Sequence, residues 1–132
     1  MSQPRERYAV TRGARWELFT RYTSNGSGVA LTAAHFVQFR DAPSVEGALL
    51  LSIRTPPTGT GSRIDRADQV TNPGEETIFL SAAGTALLTP DIVYAQVVPV
   101  DGLGTQQPLW SFELVMCDLT TDPNTFPPSP AP

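Results

Sequence analysis

Two runs near the C-terminal end set the terms for the fold. Ile92-Val93-Tyr94-Ala95-Gln96-Val97-Val98-Pro99-Val100 and Leu109-Trp110-Ser111-Phe112-Glu113-Leu114-Val115-Met116 are dominated by β-branched and aromatic residues. The turn-rich Asp101-Gly102-Leu103-Gly104 lies between them, which is the signature of a β-hairpin. Pro99 has no N–H to give to a ladder, so an edge position or a bulge is expected there.

The rest of the chain repeats this pattern. In Trp16-Glu17-Leu18-Phe19-Thr20-Arg21-Tyr22, Trp16, Leu18, Thr20 and Tyr22 share one face, and Phe19 is the exception on the polar face. Ser24-Asn25-Gly26-Ser27-Gly28 supplies the positive φ angles of a tight hairpin. A short extended segment at Val29–Thr32 precedes a strand at His35–Arg40, which Asp41-Ala42-Pro43-Ser44 ends. Ala48–Arg54 is a strand with an apolar centre, Ser62–Asp65 a short edge strand and Glu76–Leu80 another strand entered by the Asn72-Pro73-Gly74 turn. Ser81–Leu88 is the one helical candidate; Ser81 suits its N-cap, and Gly84 limits it to a turn or two. About seven or eight short strands joined by Gly/Pro turns predict an all-β, antiparallel β-sandwich, with a small barrel as the alternative.

The organisation expected is one domain in three parts: an exposed N-terminal arm at residues 1–12 carrying Arg5, Arg7 and Arg12, a β-sandwich at 13–119, and a tail at 120–132 in which five of thirteen residues are proline. The start, Met1-Ser2-Gln3-Pro4-Arg5-Glu6-Arg7, has no apolar run behind it, which reads as synthesis in a cytoplasm. No stretch reaches the ~20 apolar residues of a membrane helix. A net charge of −4 argues against a nucleic-acid partner. All nine basic residues are arginine, a residue suited to interfaces but also the product of a GC-rich genome.

Chemistry is sparse. His35 is the only histidine, and no Gly-x-Ser-x-Gly elbow accompanies it, so its expected role is structural or at the surface. Glu75 and Glu76 are adjacent and point to opposite faces of a strand, which prevents acid/base cooperation between them. Arg63, Asp65, Arg66 and Asp68 read as a solvated mixed-charge loop. Cys117 stands alone, excludes an intrachain disulfide and reads as a small half-buried residue at a strand end. The Asp101-Gly102-Leu103-Gly104 turn lacks the further acidic ligands of a calcium loop. No phosphate loop, dinucleotide fingerprint or zinc spacing occurs, and no metal or other cofactor is implied. Trp16, Trp110, Tyr22 and Tyr94 are the rings available as sugar platforms, but alternation assigns Trp16 and the Trp110/Phe112/Leu114 stripe to the core.

In order, Arg12-Gly13-Ala14-Arg15-Trp16-Glu17-Leu18, the step Leu31-Thr32-Ala33 into Gln38-Phe39-Arg40, Leu49–Ser52, Thr77–Leu88 and the hairpin around Asp101-Gly102 form a pattern over residues 8–119. It resembles the small immunoglobulin-like β-sandwich virion proteins of tailed phages and prophages, such as the N-terminal domain of baseplate upper proteins and short stand-alone tail-gene products. Thr89-Pro90-Asp91 departs from that pattern, which has a glycine before the penultimate strand, and the proline tail replaces a fibre domain. The resemblance implies an immunoglobulin-like sandwich, no enzyme and no cofactor. It implies a structural role in the tail, baseplate or neck of a virion assembled in the host bacterial cytoplasm, with other virion proteins and further copies of itself as partners. A capsid decoration protein and a carbohydrate-binding host-attachment module are the alternatives. Arg5, Arg7 and Arg12, with Phe126, Pro127 and Pro128, are the expected assembly contacts.

Overall fold

The computed structural model describes residues 6–55, 59–100 and 108–118. It is all-β, with ten strands and one short helix: β1 Glu6–Thr11, β2 Trp16–Arg21, β3 Thr23–Ser24, β4 Ser27–Gly28, β5 Ala34–Arg40, β6 Leu49–Arg54, β7 Arg63–Arg66, β8 Glu75–Leu80, α1 Ala82–Ala86, β9 Ile92–Val100 and β10 Trp110–Cys117. One sheet has the order β1-β10-β9-β5-β6, a second β2-β8-β7, and β3-β4 is a separate hairpin. Every pairing is antiparallel except that of β1 with β10.

Alternation builds the core. Val37 and Phe39 of β5, Val93, Ala95 and Val97 of β9, and Phe112, Leu114 and Met116 of β10 face Ile64, Ile78 and Leu80 of the second sheet in one cluster. Phe112 is its aromatic hub, stacked on Trp110 at 4.8 Å and meeting Phe39 and Tyr8 edge-on. At ~25 cal/mol per Å² of apolar surface removed from water, such fully enclosed side chains supply most of the drive to fold.

Local signals in the sequence operate as the physics requires. Asn25 and Gly26 take φ of 53° and 82° at the tip of the β3–β4 hairpin. Gly74 has φ 84°, and a side chain there would collide with the carbonyl oxygen of Tyr22. Ser81 caps α1 by accepting from the Gly84 amide at 3.0 Å. Pro99 lies in β9, an interior strand rather than an edge. The Thr55 amide donates to the His35 carbonyl, so His35 turns its backbone bonds towards β6 and away from its partner Pro99. The imino nitrogen of Pro99 therefore faces the other way, past Trp110, where β10 begins opposite Val97.

Several expectations need correction. Residues 6–11 of the presumed N-terminal arm form β1, so the sheet begins before residue 13. Tyr8 and Val10 send their side chains to the core, but β1 is a parallel edge strand whose partner is about a hundred residues distant, which local periodicity cannot register. Val29–Thr32 forms no strand beyond β4; the Leu31 amide donates to Gln69 Oε1 instead. Strand β6 is an edge with Leu49 half exposed, despite its apolar run. Cys117 is exposed, because it falls on the solvent side at the end of β10. The Asp101–Gly104 turn and the proline tail lie outside the described residues.

Candidate functional site

Two places concentrate polar chemistry, one between the sheets and one outside them. Between the sheets, His35 of β5 meets Glu76 of β8, with Nδ1 2.6 Å from Oε1. Arg66 of β7 reaches the other carboxylate oxygen from Nη2 at 3.2 Å and Nε at 3.3 Å. Both Glu76 and His35 are buried. An ionised carboxylate only accepts, so His35 donates from Nδ1 and Arg66 from its fork. Tyr22 packs edge-on against the His35 ring at 5.4 Å and accepts a hydrogen bond from Trp110 Nε1 at 2.9 Å. The cluster thus joins elements of both sheets. His35 Nδ1, both carboxylate oxygens of Glu76 and the Arg66 fork are spent on one another, so the arrangement acts as an internal brace. Arg66 was expected in a solvated loop; it points inward because it shares β7 with Ile64, whose side chain enters the core.

Outside, the five-stranded sheet presents the residues that alternate away from the core. Their cross-strand pairing lays them out in rows. Arg7, Glu113, Tyr94 and Arg40 form one. Ser111, Gln96, Gln38 and Ser52 form the next. Val98, Phe36 and Arg54 form a third, with the Arg54 guanidinium 4.9 Å above the Phe36 ring. A cavity of about 410 Å³ opens on this face between β5, β9 and the loop at 42–45, with Phe36, Gln38, Arg40, Tyr94, Gln96 and Val98 in its lining. That volume is in the range of ~300–1,000 Å³ typical of small binding sites.

The wall of this groove is fixed by hydrogen bonds. Arg40 donates from Nη1 to the Gly47 carbonyl at 2.7 Å and from Nη2 to Gln38 Oε1 at 2.8 Å. Asp41 Oδ1 accepts from the Ala48 amide at 2.7 Å, closing the loop. A register shift between Phe39 and Arg40 marks where β5 leaves its regular pairing with β6, the kind of irregularity that re-aims side chains beside sites. Val45 at the rim is 82% exposed.

Of the residues expected to make assembly contacts, Arg7 lies on this outer face, with Nε 2.8 Å from Glu113 Oε2. Arg12 does not belong with it. Its guanidinium is spent within the chain, donating to the carbonyls of Leu88, Thr89 and Pro90 and to Asp118, so it clamps the α1–β9 loop to the start of the sheet. Arg5, Phe126, Pro127 and Pro128 lie outside the described residues. The groove residues were missed as a set. Their signal was the half-polar alternation Tyr94, Gln96, Val98 and Phe36, Gln38, Arg40, but the apposition of β5 and β9 comes only from the fold. Glu76 also had a signal, since it is in phase with Ile78 and Leu80 on the core side of β8.

Among the described residues, no group of three or more His, Cys, Asp or Glu is placed to hold a metal ion, and no helix is long and apolar enough to cross a membrane. Neither protein-family models nor curated proteins match this chain.

Two outcomes are expected for the brace. Glu76→Gln leaves the partly enclosed Arg66 without its counter-charge and should cost about 3 kcal/mol in denaturant unfolding, while Glu75→Gln, at a less buried position, should stay within ~0.5 kcal/mol. Equal effects would contradict the brace. The second concerns alkaline pH. Burial, reinforced by the charge of Glu76, pushes the Tyr22 phenol above its ordinary value of 10.0. Burial and the hydrogen bond to Glu6 raise Tyr8 to about 12. A raised folded-state pKa means that the folded chain keeps the proton longer. The stability is therefore complete below pH about 10 and is lost as pH climbs towards the folded-state values. The chain has no lysine to obscure this window. Unfolding free energy should fall above pH about 10, with a shallower slope in Tyr22→Phe than in the wild type; identical slopes would contradict the assignment.

Proposed function

We propose that this chain is a non-enzymatic assembly module that works through the outer face of its five-stranded sheet, and that the assembly is a tailed-phage virion. The observation that carries the assembly reading is that face itself: apolar, amide and charged rows laid side by side, with a walled groove across β5 and β9. On the outside of the three-stranded sheet, Phe79 is covered by the guanidiniums of Arg15 and Arg63, at 5.1 and 4.3 Å from the ring, while Phe19 is 60% exposed.

The strand order supports an immunoglobulin-like reading. The chain starts with a strand parallel to the last one, crosses to the second sheet, and returns to give β10-β9-β5-β6 against β2-β8-β7. This order is similar to the variable-type arrangement in that the sheet carrying the final hairpin is extended beyond three strands. The virion context rests on the residue pattern, and Gln38 and Arg40 of its Gln-x-Arg step line the groove. The burial of His35 supports a structural role for its ring. Symmetric repetition offsets weak single contacts through avidity. A tail, baseplate or neck position is the first assignment; trimers on a shell would instead indicate capsid decoration. Glycan binding is the second reading, favoured by Phe36 and Tyr94 sharing one face with Gln38 and Gln96.

Light scattering after size exclusion tests the assembly. The wild-type chain is expected to form a defined multimer. Val98→Glu, which places a carboxylate at a half-buried outward position without touching the core, is expected to be a monomer of unchanged stability. A wild-type monomer at every concentration, or a Val98→Glu multimer, would overturn self-assembly through this face. Binding of oligosaccharides by a wild-type monomer would move the assignment to the second reading.

A further inference from the structure

We infer that the groove on the outer face is the seat of the chain's own proline-rich segment, residues 119–132, contributed within one copy or exchanged between copies. This inference rests on the assembly reading and gives it a specific contact.

Chemical fit is the first support. The segment contains Phe126-Pro127-Pro128-Ser129-Pro130. Proline-dense chain favours the polyproline II form, which leaves its carbonyls unpaired and loses little entropy on binding. Grooves that take such segments offer aromatic walls for the rings and donors for the carbonyls. Here Phe36 and Tyr94 line the groove, and the side-chain amides of Gln38 and Gln96 carry N–H groups. Among the described residues, no carboxylate lines this cavity and Arg40 forms no ion pair. The one charged side chain of the segment is Asp122, of the sign that Arg40 attracts.

Placement is the second support. Strand β10 ends at Cys117, beyond the row of Arg7, Glu113, Tyr94 and Arg40, and so at the end of the sheet where the loop at 42–45 forms the wall of the groove. Asp118 is held there by Arg12 Nη1 at 2.7 Å. The groove lies between the next two strands, roughly 7 Å across at a strand spacing of ~4.8 Å. A fourteen-residue segment in polyproline II form would reach roughly 40 Å, ample to enter the groove of the same copy or of a neighbour.

Thiol crosslinking of the full-length chain tests this. In a Cys117→Ser background, Val45→Cys at the groove rim is paired with Ser129→Cys and treated with a short bis-maleimide. Val70→Cys with Ser129→Cys is the control, since Val70 is 92% exposed in the loop between β7 and β8. Both reporter positions are solvent-exposed, so neither change disturbs the core. The rim pair is expected to crosslink at least about tenfold faster than the control, as a held segment does at raised effective concentration. Adding Phe126→Ser, Pro127→Ser and Pro128→Ser should erase the difference. Equal rates for the two pairs, or a preference that survives the triple change, would overturn the seat. Product size separates this inference from the function beneath it. A ladder of linked chains supports both; a preferred link within single chains supports the seat while removing self-assembly.

Discussion

Glu76 is the point on which the two sheets agree. A carboxylate enclosed between sheets costs several kcal/mol in lost hydration unless its oxygens are matched. His35 approaches one oxygen from the five-stranded sheet, and Arg66 approaches the other from the three-stranded sheet. A shift of one residue in β5 or β8 would strand the charge as well as turn the apolar set outward. The brace therefore adds to the register that the alternating valines, isoleucines and phenylalanines already specify. Tyr22 and Trp110 extend it, joining the end of β2 to the start of β10 through a single hydrogen bond.

With the inner faces committed to the core, the two outer faces differ. The three-stranded sheet covers its large outward ring, Phe79, with its own arginines, and Phe19 stays 60% exposed beside it. The five-stranded sheet keeps a broader surface. Its outward residues grade from an ion-paired edge at Arg7 and Glu113, through amides, to an apolar row at Val98 and Phe36. Such a gradient suits a face that binds and releases: apolar rows supply area, and amides and arginines fix orientation.

Much of the architecture was legible because it is encoded by neighbours. The Asn25-Gly26 turn, the Ser81 cap, the β9–β10 hairpin and the alternation of β2 all follow from residues within a few positions of one another. What was not legible depends on distance. Strand β1 reads as an arm because its partner is β10 and its pairing is parallel. Arg12 reads as a free cation because its acceptors are carbonyls of residues 88–90. The candidate site was half visible. Phe36, Gln38 and Arg40 carry an outward alternation, as do Tyr94, Gln96 and Val98. Nothing local announces that β5 and β9 lie side by side, or that the loop from 41 to 48 folds over them.

On the proposed reading, the outer face of β5 and β9 is the surface given to partners. Hydroxyl-radical footprinting of the full-length chain, dilute and then assembled, tests it most directly. The account requires Phe36, Tyr94 and Val98 to lose reactivity on assembly while Phe19 on the opposite sheet keeps its own. Protection of Phe19 with the three groove residues unchanged would contradict it and place the contact on the other side of the molecule.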